Sequence, residues 1–180
     1  MKTRFAMAVD TRRCVGCNAC VISCKTENAV PLGGFRDWIV QEVHGTFPDL
    51  TMQIRSERCN QCADAPCVGA CPTGASHVGE GGVVLVTRRK CTGCKACIAS
   101  CPYGARYVDP EAGYVDKCTF CLHRVKRGLA PACVTTCPTK ALTFGDLGDA
   151  GSAVSRLVAA RRHDVVKPEA GTRPQVFFLR

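Results

Sequence analysis

Sixteen of the 180 residues are cysteine, and their spacing is the first chemistry that the chain shows. They fall into four phrases. The first is Cys14-x2-Cys17-x2-Cys20-x3-Cys24 and the second is Cys59-x2-Cys62-x4-Cys67-x3-Cys71. The third is Cys91-x2-Cys94-x2-Cys97-x3-Cys101 and the fourth is Cys118-x2-Cys121-x11-Cys133-x3-Cys137. Proline follows the last cysteine of the second, third and fourth phrases, at Pro72, Pro102 and Pro138. A [4Fe–4S] cube takes one thiolate per iron. Three cysteines at x2 spacing wrap one cube from a loop, and the fourth, three residues on, ligates the other cube of a pair. The phrases therefore predict four [4Fe–4S] clusters and no other catalytic apparatus. No triad, paired-carboxylate site or phosphate loop accompanies them.

The offset fourth cysteine sets the pairing. Phrases two and three are close in sequence, in the arrangement of a bacterial two-cluster ferredoxin. Cluster C is expected on Cys59, Cys62, Cys67 and Cys101, and cluster D on Cys71, Cys91, Cys94 and Cys97. Phrases one and four each still need a ligand, and the economical solution pairs them. Cluster A then takes Cys14, Cys17, Cys20 and Cys137, and cluster B takes Cys24, Cys118, Cys121 and Cys133. The expected fold is α+β: two ferredoxin-like two-cluster halves, one nested in the other, with short β-hairpins and few short helices. Residues 1–58 and 109–147 make the outer half, 59–108 the inner half, and 148–180 a C-terminal helix and extended docking tail. Proline after the fourth cysteine suits a helix start, because its φ is preset.

Other readings of so many cysteines fit less well. A disulfide framework ties distant loops and belongs to secreted chains; these cysteines cluster, and Met1 to Asp10 has no apolar stretch of leader length. Arg12-Arg13 resembles a twin-arginine signal only superficially, since a cysteine follows at once. Zinc sites use cysteine pairs and have no need of a triplet with an offset fourth. The formal charge of +9 invites a nucleic-acid reading. Each oxidised cube with its thiolates carries roughly −2, so four bring the total to about +1, or about −3 when all are reduced. The basic residues beside the cysteines (Arg13, Lys25, Arg58, Lys90, Lys95 and Lys117) then offset cluster charge or face an acidic partner, and nucleic acid is not expected. No run approaches the ~20 apolar residues of a membrane span.

Between the phrases the chain alternates strand and turn signals. Residues 38–43 and 51–55 read as two strands around a Gly/Pro/Asp-bearing loop. Gly81-Gly82 before Val83–Val86 reads as a hairpin. Ala105–Val108 with Tyr114-Val115 forms another short pair, and Ala141–Phe144 is a strand. Ser152 caps a helix from Ala153 to about His163, with Val154, Leu157 and Val158 on its apolar face. The end, Val176-Phe177-Phe178-Leu179, needs cover from this chain or a partner.

At this level the sequence resembles the four-cluster electron-transfer subunits of bacterial molybdopterin oxidoreductases, most closely the polysulfide/thiosulfate reductase type. The resemblance rests on CVGCNACVISCKTEN (14–28), CNQCADAPCVGACPTGAS (59–76), CTGCKACIASCPYGARYV (91–108), KCTFCLHRVKRGLAPACVTTCPTKALTFGDL (117–147) and GTRPQVFF (171–178). It implies a non-catalytic wire between a molybdenum or tungsten molybdopterin subunit and an integral membrane subunit that handles quinones, with the same cross-paired ligation. Nitrate-reductase relatives have tryptophan for one cysteine of the third phrase; here Cys94 is present, which implies four-iron clusters throughout. Formate-dehydrogenase relatives end in a membrane helix, whereas this chain ends in GTRPQVFFLR, so an anchor would be a separate subunit. The location implied is peripheral to the cell membrane, on the extracytoplasmic face by co-export with a partner. The alternative is a free polyferredoxin shuttling electrons between enzymes; a zinc-binding interaction or assembly protein is a third class.

Some side chains near the cysteines invite tuning roles. Small residues (Gly16, Ala19, Gly69, Gly93 and Ala96) let backbone N–H groups approach sulfur. Lys25 and Lys95 would raise their clusters' potentials if they face them, and are otherwise solvated. His123 is read as a surface histidine before a sulfur donor. Trp38, Tyr103 and Tyr107 are read as packing residues. His44, His77 and His163 carry no assigned role.

Overall fold

The computed structural model describes residues 3–180. In chain order the elements are β1 (Phe5–Asp10), α1 (Ala19–Asn28), β2 (Asp37–Thr46), β3 (Asp49–Arg58), α2 (Pro66–Gly69), β4 (Ser76–Val78), β5 (Val84–Val86) and α3 (Ala96–Ala99). They continue through β6 (Tyr107–Val108), β7 (Val115–Asp116), α4 (Leu122–Val125), α5 (Ala132–Thr136), β8 (Leu142–Asp146), α6 (Ala153–Ala160), β9 (His163–Asp164) and β10 (Val176–Leu179). This is the expected mixture of short strands and few helices. The hairpin β2–β3, the pairs β4–β5 and β6–β7, and β8 all form where the alternation placed them.

Sequence reasoning missed β1. Its side chains alternate, as a strand's must: Met7 and Val9 face one way, Ala6 and Ala8 the other. Met7 and Val9 pack with Cys20, Phe120, Cys133, Cys137, Leu142 and Phe178 over the cysteine loops. Ala6 and Ala8 pack with Val154 and Leu179, and the small alanines admit α6 close to the sheet. Ser152 caps α6 by accepting from the Ser155 N–H at 3.2 Å. The helix ends at Ala160, short of His163, with Arg161 already extended.

The sheet order is β8-β1-β10-β9. β10 runs parallel to β1, pairing Met7 with Val176 and Asp10 with Leu179. The apolar end is therefore covered by this chain: Val176, Phe178 and Leu179 are buried. The approach to β10 laces across the second phrase. Asp64 N–H donates to Thr172 O, Ala63 N–H to Arg173 O, and Gln175 N–H to Asn60 O at 2.8 Å. The Tyr103 hydroxyl lies 2.5 Å from that of Thr172. The region around phrases two and three has only two two-stranded pairs and a small core of Cys67, Val84, Cys97 and Val115.

One local expectation is corrected. Pro72, Pro102 and Pro138 open turns, not helices. The helical turns lie one step earlier, between the third and fourth cysteines: α2 precedes Cys71, α3 precedes Cys101 and α5 precedes Cys137. The x3 spacing is itself nearly a helical turn, and proline ends it by denying the next N–H.

Candidate iron–sulfur sites

The four phrases share a backbone signature. The residue two places after the first cysteine has positive φ in every one: Gly16 at 67°, Gln61 at 47°, Gly93 at 69° and Phe120 at 52°. Positive φ recurs three places after the last cysteine at Gly74, Gly104 and Lys140. A left-handed residue inside a tight loop turns successive N–H groups toward its concave side, which suits an anionic group. Gln61 and Phe120 adopt it at a conformational cost, held by their surroundings. The buried Gln61 side chain donates to Cys118 O at 2.7 Å and accepts from the Val84 N–H at 2.8 Å. Phe120, 1% exposed, packs edge-on against Phe144.

These loops bring the cysteines of phrases one and four together. Cys14, Cys17, Cys20 and Cys137 line one cavity, closed by Ile39, Pro138 and Leu142. Cys24, Cys118, Cys121 and Cys133 line a second, beneath Met7 and Phe120. In the inner region, Cys59, Cys67 and Cys101 surround Cys62 closely enough to act on its charge. Cys91 and Cys97 pack in one group with Cys67. Cys71 is half-buried, and Cys94, like Cys17, is exposed. Among the described residues no three His, Cys, Asp or Glu side chains converge as on a single metal ion. A cube does not ask for that, because each thiolate meets a different iron.

The protein supplies donors to the sulfurs. N–H groups of Ser76, Val115, Phe120 and Ala141 point at Cys71, Cys91, Cys118 and Cys137, at 3.3, 3.5, 3.4 and 3.3 Å. The Asn28 amide lies 3.6 Å from Cys24 Sγ and 3.7 Å from Cys121 Sγ. Burial pushes the free thiols of Cys62 and Cys118 up to about 11 and that of Cys133 up to about 12. At Cys137 burial acts the same way, but the Thr139 hydroxyl and the Ala141 N–H outweigh it and bring the thiol down. Buried thiolates need positive charge beside them, and bound iron supplies it. The residues present fit such clusters.

Three of the buried cations stand out beside the cysteines. Arg58 is the cross-strand partner of Asp37 at the base of the β2–β3 hairpin. It meets Asp37 at 3.2 Å and Cys133 Sγ at 3.2 Å, and reaches the Ser56 hydroxyl. Burial pushes the Asp37 carboxyl up, while Arg58 and Ser56 pull it back. Arg106 Nη2 lies 2.8 Å from Cys67 Sγ. Lys117, 1% exposed, donates to the carbonyls of Val84 and Cys118. Arg58 and Lys117 stood out by adjacency to cysteine. Arg106 and Asn28 did not, being five and four residues from their nearest phrase. The proposed tuning lysines do something else: Lys25 donates to Pro31 O and Gly34 O at 3.0 and 2.6 Å, and Lys95 is exposed. His123 is at the surface, 2.8 Å from Glu27.

Repeated cysteine loops, N–H groups on sulfur and buried cations define an iron–sulfur electron-transfer protein. The sequence matches a family described as "4Fe-4S dicluster domain" over residues 50–147, and a second of the same description over 13–75. It is 43% identical to a polysulfide reductase chain of Wolinella succinogenes, over 99% of this chain and 95% of the relative. It is 41% identical to a tetrathionate reductase subunit of Salmonella typhimurium, over 98% of this chain and 72% of the relative. With the arsenate respiratory reductase iron-sulfur subunit of a Shewanella species the identity is 37%, over 98% and 96%. This protein belongs to the [4Fe–4S] dicluster iron–sulfur subunits of molybdopterin oxidoreductases.

Proposed function

We propose that the chain relays single electrons through four [4Fe–4S] clusters, between a molybdopterin catalytic subunit and a quinone-reactive membrane subunit. The observation that carries this is the pair of cavities whose cysteines come from opposite ends of the sequence. Each combines three cysteines of one outer phrase with the last cysteine of the other. The ligand sets follow as expected from spacing: Cys14, Cys17, Cys20 and Cys137 for A; Cys24, Cys118, Cys121 and Cys133 for B; Cys59, Cys62, Cys67 and Cys101 for C; Cys71, Cys91, Cys94 and Cys97 for D. On this reading the chain is two nested halves, with the segment after residue 147 tying them together.

Each bound cluster takes up or gives up one electron with little change in shape. The chain's own residues wrap it in N–H groups, exclude water with Met7, Phe120, Leu142 and Ile39, and set its electrostatic surroundings. Exposed Cys17 and Cys94 mark the sides where cluster A and cluster D come nearest to a partner. Among the described residues no helix is long and apolar enough to cross a membrane. Attachment to the membrane then comes through the quinone-reactive subunit, and the extracytoplasmic face is reached by export with a signal-bearing partner.

Native purification followed by sizing and metal analysis tests this. The expected result is a complex that contains a molybdopterin protein, with about sixteen irons and matching sulfide for each copy of this chain. A lone brown monomer would support the shuttle instead. Stoichiometric zinc without sulfide would sink both.

A further inference from the structure

The charges buried around the cysteines differ between the two halves. In the outer half Arg58 is 2% exposed and lies against Cys133, but Asp37 faces it at 3.2 Å. Asp37 also acts on Cys20, Cys24 and Cys133, where its negative charge disfavours a thiolate. Arg36, at the edge of the same cavity, is closed by Asp116 at 2.7 and 2.8 Å. The two buried outer guanidiniums, Arg36 and Arg58, are thus each matched by a carboxylate.

The inner half has no such match. Arg106 is 5% exposed. Its Nη2 meets Cys67 Sγ at 2.8 Å and Ser76 Oγ at 2.9 Å, while Nε and Nη1 are buried without a partner. The anionic groups that act on it are Cys67, Cys59 and Cys97, and no described carboxylate pairs with it. Lys117 also acts on Cys67, and its described partners are carbonyls. A buried cation with N–H groups to spare is costly unless an anion faces it. The group beside Arg106 that provides one is the cluster on those cysteines. Reducing a cube adds one negative charge and no proton, so an unmatched cation favours the reduced form and a matched one does not.

We propose that Arg106, assisted by Lys117, makes the inner half the electron sink of the chain. The cluster on Cys59, Cys62, Cys67 and Cys101 holds its electron more tightly than either outer cluster, where Asp37 cancels Arg58. Arg106 is a positioning residue for charge, not a ligand. The inference rests on the ligand sets proposed above.

Redox titration of the full chain, followed by electron paramagnetic resonance and with iron counted in each variant, tests it. Arg106→Gln with its iron complete should lower the highest of the midpoint potentials. The expected change is at least tenfold in the reduction equilibrium, about 59 mV for one electron. Arg106→Lys should restore most of it. Asp37→Asn should raise a different, lower potential and narrow the spread. Iron-complete Arg106→Gln with unchanged potentials overturns the proposal, as does a fall confined to a low-potential centre. If Arg106→Gln fails to hold iron, Asp37→Asn decides, and unmoved potentials in that iron-complete variant overturn it. A native chain with far fewer than about sixteen irons would instead sink the ligand sets.

Discussion

Taken as the two proposed halves, the residues around phrases one and four and those around phrases two and three hold their cysteines in different ways. The outer half is covered by packing. A four-stranded sheet lays Met7, Val9, Leu142 and Phe178 over its cysteines, and α6 seals the other face. The inner half has one short strand pair of its own and a second, β6–β7, shared with the outer segment, a small apolar group, and buried Arg106 without a carboxylate, with Lys117 reaching in from the outer segment. Apolar cover is indifferent to what sits beneath it. Unmatched cations are not: they are stable only facing an anion. On the proposed organisation, the outer half is therefore expected to outlast the inner half when iron is removed.

Removing iron is the most forceful way to break this comparison. Under chelation and acid, hydrogen exchange in β4–β5 and β6–β7 should rise by orders of magnitude before that of β1, β8 and β10. Simultaneous loss of protection in all strands would show that the difference in packing does not matter. A ligand substitution sharpens the comparison within the outer half. Cys137→Ala should alter the centre held by Cys14, Cys17 and Cys20 and spare the one held by Cys118, Cys121 and Cys133. Spectra that change the other way round would end the exchanged ligation.

A packing change acts next. Phe178→Ala opens the core above the outer cysteines, where Phe178 is 4% exposed, and should cost about 3–5 kcal/mol. Thermal denaturation should show it, with bleaching of the outer centres ahead of the inner ones. Equal bleaching would mean that the halves unfold as one. The smallest effect belongs to the hairpin surface, where Arg55 pairs with Glu42 at 2.6 Å. The hydrogen bond from Arg55 holds the Glu42 carboxyl below the usual glutamate range. Its contribution is present above the unfolded value and lost as pH falls through the folded one. Glu42 is half-buried, with 42% of its side chain still accessible, so Glu42→Gln should cost under about 1 kcal/mol, less at high salt. Denaturant titrations should separate the two proteins at pH 7 and bring them together as pH falls below about 4.

Much of the molecule was legible in the residue order. Cysteine spacing specified the type of site, because three thiolates at x2 spacing suit one cube and a fourth, three residues on, is the usual ligand of a paired cube. Alternation and turn residues located the hairpins, and Ser152 located a helix start. The sequence of β1 hid its role, because Ala6 and Ala8 are too small to make a hydrophobic run. Their smallness is what admits α6, a fact visible only once the two are packed. The tail was legible as apolar and in need of cover, but its neighbour, β1, lies more than 160 residues away. Which cations count was also a tertiary decision. Lys25 and Lys95 border cysteines and do not engage them, whereas Arg106, five residues past Cys101, reaches Cys67 of the preceding phrase. Local spacing dictates which atoms can hold iron, since ligation is short-ranged. The field at that iron depends on charges brought in from distant parts of the chain and on whether a carboxylate comes with them, and only the folded arrangement of β3, β6 and β7 decides that.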